Sequence, residues 1–175
     1  TTDLQYRLQA SYRQSKEKPL FTTFTETPTI ASEILPYQYY NAFKVVYDEV
    51  NDVELLATLS GKLKDIVNTF EGQYNHYKAR TQMDNTAWNL PSVKVSLYTD
   101  FRILPTLYAG MDIFYIGNRY DLDYVLPTTV TPEKITLNGY LDVNLHADYT
   151  FSKHWQVFLK ANNLSTQRHT LWAYY

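Results

Sequence analysis

The sequence predicts an all-β protein: an antiparallel up-and-down transmembrane β-barrel, with about nine strands of a larger barrel visible in this chain. Three observations carry that expectation. From Ile135 to Phe151 every odd position is apolar, aromatic or Gly, and the even positions from Lys134 to Thr150 are polar apart from Tyr140. Side chains on a strand alternate between faces, so such a run has one greasy and one wet side. Second, long and short connections alternate from Ile66 onward, the asymmetry of outer-membrane barrels with short periplasmic turns and longer outside loops. Third, helical stripes of period 3.6 are absent, and β-branched and aromatic residues fill the alternating runs.

Each element follows from the same rule. Asp3 to Arg13 alternates, with Leu4, Tyr6, Leu8, Ala10 and Tyr12 on one side. Ser15 to Pro19 reads as a polar turn, Leu20 to Thr25 as a weaker strand, and Glu26 to Tyr40, with Pro28 and Pro36, as a loop. Phe43 to Tyr47 is a short strand and Asp48 to Asp52 a turn. Val53 to Leu63 alternates again, and Ile66 to Tyr77 is a strand with mixed faces. Thr81 to Leu90 is a polar loop, and Val93 to Ile103 and Leu107 to Ile116 form a hairpin about a short turn at Leu104-Pro105. Asn118 to Thr131 is a longer loop. Lys134 to Thr150 is then one strand of about 17 residues, beyond the usual 3–10 of globular strands. Phe151 to His154 turns into a last strand carrying Trp155, Val157, Leu159 and Ala161 on its greasy side.

One difficulty stands in this reading. Carrying the long–short parity back to the first half puts the Glu26 to Tyr40 loop at the short-turn end, where it is too long.

Composition excludes several functions. A net charge of −2 leaves no basic footprint for nucleic acid. Without Cys there are no disulfides, thiolate metal sites or cysteine nucleophiles. No apolar run reaches the roughly 18 residues of a membrane-crossing helix, which leaves barrel strands untouched because they are apolar only at alternate positions. The chain opens in strand alternation, without an initiator Met or a leader, and so reads as 1–175 of a single barrel segment inside a longer protein.

No constellation points to catalysis, and no cofactor is expected. His76, His146, His154 and His169 form no H-x-x-x-H pair, so zinc is unsupported, and nucleophile-elbow and phosphate-loop motifs are absent. Lys94, Asp100, Arg102, Asp112, Asp142, Asn144, His146, Asp148 and Lys160 share the wet faces. They read as lumen-facing candidates, either a charged lining that tunes passage or simply the hydrated interior that a closed barrel keeps. Trp88, Tyr120, Tyr124, Trp155, Trp172, Tyr174 and Tyr175 sit at strand ends or in loops, where amphipathic rings suit interfacial girdles. The face assignment makes Leu141→Arg costly and Asn144→Arg nearly silent for folding.

At AWNLP (Ala87 to Pro91), IGNRYDL (Ile116 to Leu122), YLDVNLHADYTFSKHWQVFLKANNL (Tyr140 to Leu164) and LWAYY (Leu171 to Tyr175) the chain resembles the TonB-dependent-receptor-like outer-membrane barrels of Bacteroidetes. The likeness is to the C-terminal barrel portion, from Ala87 to Tyr175; the first half resembles only generic barrel strands. The family continues past this Trp-Tyr region into a final strand and carries an N-terminal plug and TonB-contacting segment, so the resemblance implies a longer protein. It further implies the outer membrane of a Gram-negative bacterium, solute or nutrient passage, lipid as neighbour, and a surface or periplasmic partner protein. Two other readings use the same strands: a soluble small-ligand barrel with the greasy face inside, and an outer-membrane barrel with a structural role and no transport.

Overall fold

The computed structural model describes residues 3–23, 43–80, 85–123 and 133–167. Every regular element in them is a strand: β1 Asp3–Thr23, β2 Phe43–Leu63, β3 Ile66–Ala79, β4 Val93–Leu104, β5 Leu107–Ile116, β6 Arg119–Asp123, β7 Glu133–Leu137, β8 Tyr140–Ser152 and β9 Trp155–Ala161. Seven of them form one antiparallel sheet in the order β1-β2-β3-β4-β5-β8-β9, and β6 pairs with β7 as a separate ribbon. The fold is an all-β, up-and-down barrel wall, as the alternation implies.

Nine strands are seen and about nine were expected, yet they are not the same nine. Ser15 to Pro19 and Asp48 to Asp52 are not turns. They lie opposite one another inside the β1–β2 pairing, with Ser15 across from Val50 and Lys18 across from Asp48. A register shift between Ser15 and Lys18 places one extra residue in β1, so polar Lys16 and Glu17 mark a bulge in a continuous strand. β1 and β2 are thus each 21 residues long. The correction removes the parity difficulty. Two-residue turns at Lys64-Asp65, Pro105-Thr106 and Lys153-His154 lie at one end of the sheet, and the strand ends Thr23, Phe43, Ala79, Val93, Ile116 and Tyr140 lie toward the other.

The run from Lys134 to Thr150 is not one strand either. It breaks at Asn138-Gly139, and β7 leaves the sheet to pair with β6, inside the segment expected to be loop. Alternation survives the break because it records which face a side chain takes, not which strand its backbone bonds. The corner is tight. A Cβ on Gly139 would lie 2.6 Å from the Ile116 carbonyl oxygen, while the Gly139 N–H donates to Asn118 Oδ1 at 2.7 Å.

Register carries one apolar face across all seven strands. Tyr6 pairs with Leu59, Leu59 with Phe70, Phe70 with Leu97, Leu97 with Ile113 and Ile113 with Val143. Leu107, Tyr149 and Val157 extend that face to β9. It is bare: Tyr6 is 80% and Leu8 78% exposed. Along β2 the apolar band runs from Val53 to Leu63, the span of about 9–11 residues that carries a barrel strand across a bilayer. Above it the same face turns polar, where Tyr12 donates to Asn51, and Gln14 and Arg80 both meet Glu49.

The buried apolar cluster lies on the opposite face. Val50 and Ala79 pair there, and the bulge in β1 reverses its parity so that Leu20 joins them. Trp88 from the 80–92 connection and Leu122 from β6 cover this group.

Candidate functional site

The candidate site is the polar face, read row by row from the register. One row runs Arg7, Thr58, Glu71, Ser96, Phe114, Asp142; another Gln5, Ser60, Thr69, Tyr98, Asp112, Asn144; a third Asp3, Lys62, Val67, Asp100, Gly110, His146, Lys160. Lys94 lies in the row of Gln73, and Arg102 faces Tyr108, which faces Asp148. All nine expected polar residues therefore share one face of one sheet. They do not converge on a point. Among the described residues no group of three or more His, Asp and Glu has the geometry to hold a metal ion.

Three local arrangements organise the face. The first joins β1, β2 and β3. Gln73 Nε2 donates to Glu54 Oε2 and Asn75 Oδ1, each at 2.8 Å; Asn75 Nδ2 donates to Asp52 Oδ1 at 2.9 Å; Ser11 Oγ donates to Glu54 at 3.4 Å. Asp52 and Asn75 are buried, so these bonds replace the water that the two side chains lose. Sequence reading missed this network. In sequence Asp52 falls within an apparent turn, and the mixed faces of Ile66 to Tyr77 fix no register. Extending the even-position alternation of Glu54, Thr58 and Ser60 back by two residues would have found Asp52.

The second arrangement spans three strands. His146 Nε2 on β8 lies 3.1 Å from Asp100 Oδ1 on β4, reaching over Gly110 of the intervening β5. The space exists because Gly110 has no side chain; a Cβ there would sit within the imidazole and 2.7 Å from Asp100 Oδ1. The third fixes the end of β9. Asn144 Oδ1 accepts the Asn163 N–H at 3.0 Å, and Asn144 Nδ2 donates to Asp142 at 3.4 Å. Asn144 is only 9% exposed and holds the Asn163 N–H, so Asn144→Arg is expected to cost stability rather than to be silent.

The expected girdle residues divide. Trp155 is exposed at the short-turn end on the apolar face, beside the stacked rings of Tyr149 and Phe151. Tyr120 stands on the β6–β7 ribbon with the Lys134 ammonium 4.6 Å from its ring, outside the main sheet. Trp88 is a correction: it is 2% exposed and packed on the polar side against Leu20, Val50, Ala79 and Leu122, so it meets no lipid interface. Its loop is drawn inward because Asn89 donates from its backbone to Tyr120 O and from Nδ2 to Phe21 O, both at 2.9 Å. Tyr124, Trp172, Tyr174 and Tyr175 lie outside the described residues, as does the aromatic cluster Tyr37, Tyr39 and Tyr40. Tyr12, Tyr74 and Tyr115, exposed at the long-connection end of the apolar band, are rim aromatics that the sequence reading passed over because they lie within strands.

An antiparallel meander with one apolar and one charged face, short turns at one end and long connections at the other, defines the wall of a β-barrel. The family model for TonB dependent receptor-like β-barrels matches residues 2–164, and the chain belongs to that family. The match takes in the first half, whose strands alone looked generic, and stops before LWAYY. No curated protein matches the chain.

Proposed function

We propose that this chain is wall and mouth of an outer-membrane β-barrel, one part of a longer barrel, through which a solute passes or is taken up. The carrying observation is the placement of the two coverings. The apolar face is bare across seven strands, while the chain's own loop and ribbon pack against the polar face. A soluble ligand-binding barrel needs the reverse, because water penalises an uncovered apolar sheet and its core must lie on the greasy side. Lipid cannot satisfy a strand edge, so such a wall is stable only when further strands close the sheet.

On this reading lipid contacts Tyr6, Leu59, Leu97 and Val143, and the nine charged and polar side chains line the passage. The family supports membrane embedding and contact with other proteins, and a surface or periplasmic partner is proposed on that basis, in a Gram-negative envelope of the Bacteroidetes kind. The role is passage, with no catalytic step assigned.

Cell fractionation and a permeability assay test it together. The full-length protein is expected in the outer membrane, much larger than 20.5 kDa and with mobility that shifts on heating. Liposomes carrying it are expected to admit small solutes. A soluble band near 20.5 kDa contradicts the membrane assignment, and an outer-membrane band without permeability contradicts passage in favour of a structural barrel.

A further inference from the structure

Charge is unevenly spread over the polar face. Its middle and upper rows carry Asp52, Glu54, Glu71, Asp112 and Asp142, while Asp148 lies lower, across Tyr108 from Arg102. At the short-turn end an open cleft of about 200 Å³ sets three cations, Lys62, Lys64 and Arg102, against two carboxylates, Asp65 and Asp100, with Val67, Phe101 and Tyr108 completing its lining. None of the three cations is in an ion pair within the described residues. Asp100 is turned toward His146 instead. The frame is set by backbone: the Arg102 N–H donates to Asp65 O at 2.8 Å, tying β4 to the β2–β3 turn that carries Lys64. The Arg102 guanidinium lies 5.8 Å from the Tyr108 ring centroid, which restrains its direction.

The three cations outnumber the two carboxylates of the cleft and make no close ion pair with them or with Asp3, which stands across from Lys62, and that excess favours a negative guest. We propose that this cleft binds a small oxyanion, a carboxylate or phosphate group, between Lys62, Lys64 and Arg102 at the short-turn mouth of the barrel. The fork of Arg102 offers paired donors to two oxygens, and the lysines supply point charges on either side. The assignment concerns binding alone, so it stands or falls apart from solute passage.

The test is titration of the full-length protein in detergent with inorganic phosphate, and separately with succinate, at constant ionic strength set by chloride. Saturable binding of either anion is expected. Lys62→Gln and Arg102→Gln are each expected to weaken it about tenfold, while Lys62→Arg largely retains it. Lys94→Gln, on the same face but outside the cleft, is expected to leave it unchanged. Heat-modifiable mobility of each variant confirms that the barrel is intact. Absence of saturable binding to both anions overturns the proposal. So does equal weakening by Lys94→Gln, which would signify only the general field of the face.

Discussion

At the scale of single residues, the account turns on neighbours that point opposite ways. Leu97 faces Phe70 and Ile113 on the apolar side, and Ser96 faces Glu71 and Phe114 on the polar side. Adjacent residues share a depth, so the pair separates face from position in the bilayer. Leu97→Arg is expected to cost about 2–4 kcal/mol near the midplane, and Ser96→Arg, with the Glu71 carboxylate opposite, close to nothing. Denaturant titration of refolding into lipid measures both. Leu141→Arg, on the apolar face opposite Tyr115, belongs with the costly class. Gly110 gives a second residue-scale prediction. Gly110→Ala must displace His146 from Asp100, at a cost of about 1–3 kcal/mol for overpacking. In a His146→Ala background the same change is expected to cost much less; equal costs in the two backgrounds would mean that the imidazole is not what fills the notch.

At the scale of elements, the loops and ribbon are held by a few long-range contacts. Trp88→Ala removes the largest side chain of the inner cluster, and a cost of about 3–5 kcal/mol falls on the covering loop rather than on the strand ladder. Faster proteolysis within residues 80–92 at unchanged heat-modifiable mobility is the expected result. Gly139→Ala crowds the Ile116 carbonyl, which as backbone cannot yield, and is expected to expose the segment 117–139 to protease in the same way. These elements were the ones sequence reading failed to place, and the reason is physical. Alternation is local, so the face of Lys94, Asp100, Asp112 and His146 follows from parity alone. The inward fold of Trp88 depends on Asn89 reaching Phe21, 68 positions away, and no local pattern encodes that. The polar stretches Ser15 to Pro19 and Asp48 to Asp52 misled for a related reason: polar residues on both faces of two long paired strands look like turns until pairing is known.

At the scale of the whole molecule, the proposed function has one face meet lipid and the other a hydrated interior. The sequence alone made that division legible across most of the wall, but it could not say that the 21-residue β1–β2 pair continues past the apolar band, nor that two strands leave the sheet as a ribbon. The measurement that tests the division most directly introduces Cys into a stretch that holds none, with any Cys elsewhere in the full-length protein replaced by Ser. Single cysteines placed from Val53 to Leu63 in the full-length protein, spin-labelled and reconstituted in bilayers, report contact with oxygen in lipid or with a water-soluble nickel chelate. The odd positions, Val53, Leu55, Ala57, Leu59 and Leu63, are expected to favour oxygen, and the even positions, Glu54, Thr58, Ser60 and Lys62, the chelate. The opposite phase, or no alternation at all, would contradict the account.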